Sequence, residues 1–245
     1  MKKTSFAYFL MAAASLASFP TSANSTLTFR NGIDGYAGTQ DTELWGGTPD
    51  TVLGVSEASI SIDGDNGGYA GQALIRFDQL FGNGAGQIKA GDTIVSATLT
   101  LNINNEGSGF TVYDMLRDWS QAGATWNSLG EGVQADGTEA AMTEITHFGQ
   151  DDSSKHVFNG PLVIDVTHSL QLLQAGQLPG YGWAFIPFTP NGTNGIDFDS
   201  SEAYVLGDRP LLSVEVAPVP EPETYALMLA GLGLVGALAR RRASR

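Results

Sequence analysis

Near its middle, the chain alternates strictly between apolar and polar residues. Ala97, Leu99, Leu101 and Ile103 are separated by single threonine or asparagine residues. Successive side chains of a strand point to opposite faces, so this pattern predicts a β-strand with one buried face. The 31 glycines and the charged fraction of only 16% also favour a turn-rich β fold, because glycine costs roughly 1 kcal/mol inside a helix.

Short apolar or alternating runs predict the other strands. They are Thr26–Arg30, Thr51–Val55, Ser59–Ile62, Gln72–Phe77, a strand that starts at Phe110, Leu162–Asp165, Gly182–Pro187 and Leu211–Val216. Segment 104–109 is interpreted as a hairpin loop. One helix is predicted over Thr167–Ala175, capped by Asp165 or Thr167. The predicted fold class is therefore all-β, a single β-sandwich or jelly-roll domain over residues 24–216.

The first 23 residues have the pattern of a secretory signal peptide. Lys2 and Lys3 precede an apolar run over Phe6–Leu16, and small residues lead to a cleavage site near Ala23 or Asn24. The apolar run is too short to cross a bilayer as a helix. We expect the chain to meet the export machinery and the signal peptide to be removed.

The C-terminus combines a proline-rich segment, an apolar run and a cluster of arginines. Pro220, Glu221 and Pro222 lie in a spacer over residues 217–224, the apolar run covers 225–239, and a basic tail covers 240–245. This pattern predicts a transmembrane helix over 225–239, extended by neighbouring polar residues, with Arg240, Arg241 and Arg242 on the cytoplasmic side of the inner membrane.

This tail resembles the PEP-CTERM sorting signal, on the strength of Pro220-Glu221-Pro222, the apolar helix and the terminal arginines. In that family an exosortase-type membrane transpeptidase reads the tail, in bacteria that make exopolysaccharide. The resemblance implies an exported protein that is anchored transiently by its C-terminus. It would then be placed at the cell surface or in the extracellular matrix.

The net charge is concentrated between the two ends. The whole chain has a net charge of −14, but the segment from 24 to 219 alone carries −18, since it holds 24 acidic and only six basic residues. Such a domain is a poor partner for nucleic acid, which is bound through clustered lysine and arginine. The chain has no cysteine, which excludes disulfides, thiolate metal sites and a cysteine nucleophile.

A second resemblance extends over most of the middle of the chain. Eight segments in order are similar to the DNRLRE family of extracellular β-sandwich modules, which is related to disaggregatase C-terminal domains and to carbohydrate-binding modules. They are Gln72–Asp78, Ile94–Leu101, Val112–Ser120, Ala124–Asn127, Ile164–Thr167, Gly180–Trp183, Ser201–Glu202 and Arg209–Pro210. Ser201-Glu202 keeps only the end of the family's naming motif. The resemblance implies a β-sandwich that binds carbohydrate.

No catalytic constellation is recognisable, so we expect no enzymatic activity. His147, His156 and His168 lack the spacing of a zinc site, and no G-x-S-x-G nucleophile motif occurs. Some pair of the many carboxylates could have the separation of a glycosidase, which the sequence does not give.

Calcium is the cofactor that the composition suits best, as a structural ion, because Ca²⁺ prefers oxygen ligands. The candidate ligands are Asp41, Glu43, Asp63, Asp65, Asp197 and Asp199. Segment 63–68 resembles the start of an EF-hand loop but lacks its later ligands, so a solvated hairpin turn is the favoured interpretation.

Three aromatic residues in polar, glycine-rich stretches are candidates for sugar binding: Tyr36, Trp45 and Tyr69. Trp119 and Trp126 are interpreted instead as packing residues, and Glu202 and Arg209 as a structural ion pair. The primary hypothesis is an exported, non-catalytic β-sandwich that binds or organises extracellular polysaccharide. The alternatives are a polysaccharide-acting enzyme and a purely structural matrix protein.

Overall fold

The computed structural model describes residues 23–55, 57–188, 194–218 and 222–243. Within these residues the strands are β1 (Ser25–Arg30), β2 (Thr39–Trp45), β3 (Ser59–Asn66), β4 (Tyr69–Phe77), β5 (Thr93–Asn105), β6 (Gly109–Asp114), β7 (Thr146–Gly149), β8 (Gly160–Asp165), β9 (Trp183–Pro187), β10 (Ile196–Asp199) and β11 (Leu211–Ala217). The helices are α1 (Thr167–Gln174) and α2 (Pro222–Ala243). The predicted signal peptide lies, up to residue 22, outside the described residues.

The strands form two layers of antiparallel sheet that are continuous through one strand. Layer A contains β1, β11, β5, β8 and β10, and layer B contains β2, β4, β9, β6 and β7. The first half of β3 pairs with β10 in layer A, and its second half pairs with β4 in layer B. The predicted all-β architecture is confirmed as a mostly antiparallel, sandwich-like fold.

The main hydrophobic core lies between the two layers. The alternating apolar residues of β5 are all buried in it, as their spacing predicts. From the opposite layers, Phe185 of β9 and Phe198 of β10 meet with their ring centroids 6.2 Å apart. β9 is buried on both faces, because Ala184 belongs to a second cluster on the outer side of layer B.

The second hydrophobic cluster covers the outer face of layer B. Residues 115–141, which we call the covering loop, pack over Leu44 and Leu74 there. Trp119 of this loop is 5% exposed, and its indole Nε1 donates a hydrogen bond of 2.8 Å to the backbone oxygen of Tyr181. Trp119 is therefore a packing residue, although it packs outside layer B and not between the layers.

The first and last strands of the domain pair with each other. Ser25 lies opposite Val216 in the β1–β11 register, and Asn24 Nδ2 donates a hydrogen bond of 2.9 Å to Glu215 Oε1. Among the described strands, β1 has no other paired neighbour. The beginning and the end of the β domain consequently lie side by side at one end of layer A.

The structure departs from the predicted strands in three ways. Residues 51–55 contain no strand, and β2, β7 and β10 were not predicted. Segment 104–109 is not a hairpin loop, because β5 belongs to layer A and β6 pairs with β7 and β9 in layer B. Its turn residues instead carry the chain across from one layer to the other.

Both predicted helices form, with differences in detail. In α1 the N-cap is Val166, while Asp165 Oδ1 accepts a hydrogen bond of 2.9 Å from the backbone nitrogen of Thr167. The apolar run of the tail lies within α2. Across the described residues, no helix is both long and apolar enough to cross a membrane. The described part of α2 therefore does not confirm the predicted transmembrane span.

Candidate functional site

Tyr36, the first predicted sugar-binding aromatic, is part of the packing. Its ring meets Phe29 edge-on at 5.3 Å and stacks on Phe77 at 6.4 Å between centroids. Its hydroxyl donates a hydrogen bond of 2.9 Å to the backbone oxygen of Asp78, and burial together with the Asp78 charge raises the pKa of Tyr36. The ring of Tyr36 is thus used in packing, although the residue is half-buried and also lines a separate groove of about 240 Å³.

Trp45 and Tyr69 lie near the opposite end of β4. In the β2–β4 register, Trp45 at the end of β2 is paired with Gly71. Thr39, at the start of β2 and three residues after Tyr36, is paired with Phe77. These positions are about 20 Å apart at 3.3 Å per residue. Tyr69 is 53% exposed, and Trp45 is half-buried. The structure therefore does not bring the three predicted aromatics into one binding surface.

Five of the six candidate calcium ligands accept hydrogen bonds within the protein, among them Asp41 from Ser201. Glu43 Oε2 accepts from the backbone nitrogen of Ser61 at 3.1 Å, and Asp199 accepts from Asn102 and Asn104. Asp63 and Asp65 each accept from a backbone nitrogen inside the β3–β4 hairpin. The hairpin turn itself has Gly67 and Gly68 at positive φ, as a tight two-residue turn requires.

Asp197 lies across from Ser61 and Asn105. Burial, together with the charges of Asp197, Glu57 and Asp63, raises the pKa of Glu43 to about 7. The backbone hydrogen bond from Ser61 acts in the opposite direction and lowers this pKa. In the part of the chain that the structure describes, no three histidine, aspartate or glutamate side chains converge to hold a metal. Structural calcium stays a prediction.

Asp41 belongs to a buried polar group that we call the Ser201 cluster, made of Asp41, Ser201, Glu202 and Gln121. Asp41 is 0% exposed and accepts from the Ser201 nitrogen at 2.7 Å and from its hydroxyl at 3.1 Å. The Ser201 hydroxyl also lies 3.0 Å from both carboxylate oxygens of Glu202. Burial, reinforced by the Glu202 charge, raises the pKa of Asp41 well above its usual value.

Glu202 does not form the predicted ion pair with Arg209. Arg209 instead donates to the backbone oxygens of Ala203 and Asn31 at 2.8 and 3.2 Å. Glu202 Oε1 accepts from Gln121 Nε2 at 2.7 Å. The Ser201 cluster therefore connects β2 and the turn after β10 with the covering loop.

Two further contacts hold the covering loop on layer B. Arg76 Nη1 lies 2.9 Å from Asp118 Oδ1, and its guanidinium carbon is 5.6 Å from the centroid of the Trp119 ring. Gln72 of β4, 5% exposed, donates to the Val133 oxygen at 3.1 Å and accepts from the Val133 nitrogen at 2.7 Å. Paired bonds of this kind fix the loop to one position on the strand.

The covering loop and layer B enclose a groove of about 240 Å³, which we call the Trp126 groove. Trp126 and Tyr113, both half-buried, contribute aromatic rings, and Ile186 and Pro187 contribute apolar walls. The exposed residues Glu131 and Gln134 add polar groups. Aromatic and apolar walls with a few polar groups are the usual composition of a small-molecule site.

Two glycines fix the position of the Trp126 ring. A Cβ atom on Gly132 would lie 2.8 Å from Trp126 Cη2, and one on Gly46 would lie 3.4 Å from Cε2. The backbone therefore approaches the indole more closely than any larger residue would allow at Gly132. The interpretation of Trp126 as a packing residue is incomplete, because the ring also lines the groove.

A larger groove, of about 710 Å³, lies between α1 and the end of β6. Asp114 accepts a short hydrogen bond from Ser169 Oγ, which itself accepts from Trp183 Nε1 at 2.9 Å. Burial raises the pKa of Asp114, against that hydrogen bond, whereas hydrogen bonds from Thr167 lower the pKa of Asp165 in the same groove. We call this the Asp114 groove.

The predicted sorting residues are described only in part. Pro220 and Glu221 lie outside the described residues, and Pro222 begins α2. Arg240 and Arg241 are exposed on the last turns of that helix, and Arg242 follows them.

The sequence profile of the PEP-CTERM protein-sorting motif matches residues 218–243. This match confirms the predicted sorting motif and covers α2 with the residues just before it. The resemblance of the β domain to the DNRLRE family is not confirmed. No curated protein matches the chain significantly.

The sequence patterns do not indicate Tyr113, Glu131 or Gln134 as binding residues. Tyr113 lies in a predicted strand, where an aromatic residue needs no special explanation. Glu131 is flanked by Gly130 and Gly132, and a charged residue between two glycines in a loop was the available signal for an unusual backbone conformation.

Proposed function

We propose that this protein is exported, that an exosortase-type transpeptidase processes it at its C-terminal motif, and that its non-catalytic β domain binds extracellular polysaccharide in the Trp126 groove. The observation that carries the binding proposal is the groove itself, with two aromatic rings beside exposed polar side chains. Aromatic rings bury large apolar areas, and amide and carboxylate groups can bond to hydroxyls.

Export and processing are supported by the sorting motif over residues 218–243. In this proposal the C-terminal segment holds the chain at the membrane until the transpeptidase acts, and the domain then reaches the cell surface or the matrix. Replacing Pro220, Glu221 and Pro222 by alanine should leave the tail on the protein, while Glu223→Ala should not. The mass of the exported protein measures this difference.

Polysaccharide binding is tested by affinity electrophoresis of the full chain in gels that contain hydroxyethylcellulose, dextran or galactomannan. We expect at least one of these uncharged polymers to retard the protein. Trp126→Ala should weaken that retardation about tenfold, as the loss of a central aromatic anchor does. Tyr69→Ala is the matched control, because Tyr69 is exposed but does not line the groove.

Failure of all three polymers and of a glycan array to bind the full chain would contradict the proposal. Equal effects of Trp126→Ala and Tyr69→Ala would place any binding outside the Trp126 groove. The purely structural alternative predicts the first of these results.

The second candidate function is a polysaccharide-acting enzyme. The Asp114 groove favours it, because Asp114 and Asp165 line one cavity and their environments shift their pKa values in opposite directions. Glycosidases divide acid and base roles between two carboxyl groups in this way. Release of reducing ends by the full chain, abolished in Asp114→Asn, would favour this candidate over a binding protein.

A further inference from the structure

Three consecutive residues of the covering loop have left-handed backbone conformations. The φ angles are +76° at Gly130, +66° at Glu131 and +88° at Gly132. Glycine adopts such angles freely, whereas an L-residue with a side chain pays roughly 1–2 kcal/mol. The backbone of Glu131 is therefore strained, whereas the backbones of the two flanking glycines are not.

No packing or bonding requirement explains why this position carries a glutamate. Glu131 is exposed, and none of the hydrogen bonds or ion pairs among the described residues involves its carboxylate. A glycine there would relieve the strain and cost the fold no contact of this kind. Backbone strain clusters at functional positions, and at Glu131, unlike at Gln79, it falls on a residue that lines the Trp126 groove.

We propose that Glu131 is the residue of the Trp126 groove that selects uncharged hexose chains and rejects chains of uronic acids. The inference rests on the proposed function, since it assigns a ligand class and a specificity-determining residue to the same groove. Among the described residues that line the groove, Glu131 is the one that carries a formal charge.

The chemistry of a carboxylate accounts for this selection. It offers only acceptor sites, so it can take hydrogen bonds from two neighbouring hydroxyls of a sugar ring that lies on Trp126. A uronic acid would bring a second carboxylate into the same groove, where like charges repel. No lysine, arginine or histidine is among the described lining residues, so that repulsion has no local compensation.

The test compares three variants of the full chain by affinity electrophoresis and thermal unfolding. The probes are hydroxyethylcellulose, dextran and galactomannan as uncharged polymers and polygalacturonate as a polyuronate. Glu131→Gln removes the charge but keeps the shape, and Glu131→Gly removes the side chain and the strain. Gln79→Gly is the matched control, because Gln79 is also exposed with a φ of +58° but does not line the groove.

We expect Glu131→Gln to bind the uncharged ligand about fivefold more weakly and polygalacturonate more tightly than the original chain does. Glu131→Gly should lose affinity for the uncharged ligand, because it removes the carboxylate. It should also raise the Tm by about 2 °C, because glycine adopts the positive φ of this position without strain. Gln79→Gly should raise the Tm similarly and leave both affinities unchanged.

The inference is overturned if the Glu131 variants bind both kinds of polymer like the original chain while Trp126→Ala weakens binding. It is also overturned if the original chain prefers polygalacturonate. If the original chain binds none of the polymers, the proposed function itself fails, which is a different result from either of these.

Discussion

Asp41 and Glu202 both lie within hydrogen-bond distance of one hydroxyl group, that of Ser201, at 3.1 Å and 3.0 Å. The single proton of that hydroxyl can be donated to only one of the two carboxyl groups at a time. Two carboxyl groups held this closely in a buried position favour one shared proton over two charges. The folded-state pKa of Asp41 is raised, so the stability that depends on its proton is present at low pH and is lost as pH rises through that pKa.

Asp41→Asn should therefore stabilise the protein at pH 8, by about 2 kcal/mol, and should change little at pH 4. Urea unfolding at both pH values measures the difference. Asp151→Asn, at an exposed position, is the control and should have no effect at either pH. Destabilisation by Asp41→Asn at pH 8 would contradict the shared-proton interpretation.

Glu43 gives a second, separate pH dependence. Burial, together with the charges of Asp197, Glu57 and Asp63, raises its pKa from an ordinary 4.5 to about 7. The folded state retains the Glu43 proton over this range, so stability should fall by up to about 3 kcal/mol between pH 4.5 and 8. Glu43→Gln should flatten this part of the curve. A curve that keeps its slope in Glu43→Gln would assign the dependence to other groups.

The two buried hydrogen bonds between Gln72 and Val133 should hold the covering loop in place. Gln72→Leu keeps most of the side-chain volume but leaves the Val133 nitrogen and oxygen without partners. We expect the free energy of unfolding to fall by about 2–4 kcal/mol. Limited proteolysis should then cut within residues 115–141, and thermal unfolding should give the cost. Gln171→Leu loses a single bond to Ile94 outside the loop, and should cost under about 1 kcal/mol without new cleavage there.

Gly182 and Gly35 require glycine for different reasons, close approach of the backbone at Gly182 and positive φ alone at Gly35. Both have positive φ, +76° and +78°, but a Cβ at Gly182 would lie 2.1 Å from the Ile75 oxygen, whereas nothing lies within 4 Å of one at Gly35. Gly35→Ala should cost about 1 kcal/mol through strain alone. Gly182→Ala should cost more than about 3 kcal/mol, because β4 must shift. Equal unfolding midpoints for the two variants would contradict this distinction.

The sequence predicted most strands because their apolar residues alternate toward one core. β5 is the clearest case, with every predicted inward residue buried. β2 escaped prediction because Asp41 and Thr39, two of its buried residues, are polar, which hides the apolar pattern. The partners that make Asp41 acceptable there, Ser201 and Glu202, are distant in sequence.

The candidate site could be predicted less well than the fold. A polar, glycine-rich stretch suggested Tyr36 as a ligand residue, but its ring packs against Phe29 and Phe77. Trp126 and Trp119 lie in similar polar surroundings in the sequence. The path of the covering loop over layer B packs the indole of Trp119 and leaves that of Trp126 lining a groove. Pairings between distant segments decide both cases, and a local pattern does not contain them.

The pairing of Ser25 with Val216 also determines how the domain is presented. The first and last residues of the β domain both lie at the end of layer A where β5 begins. At the other end of β5, Asn105 is paired with Asp197 of β10, which is paired with Ser61 of β3. Two residues further along β3, Asp63 is paired with Gly71 near the start of β4. The start of β4, and the Trp126 groove beside it, therefore lie toward the other end of β5. The thirteen residues of β5 span about 40 Å. A domain held by its C-terminus would thus carry the groove at the end of the β domain that is remote from its attachment.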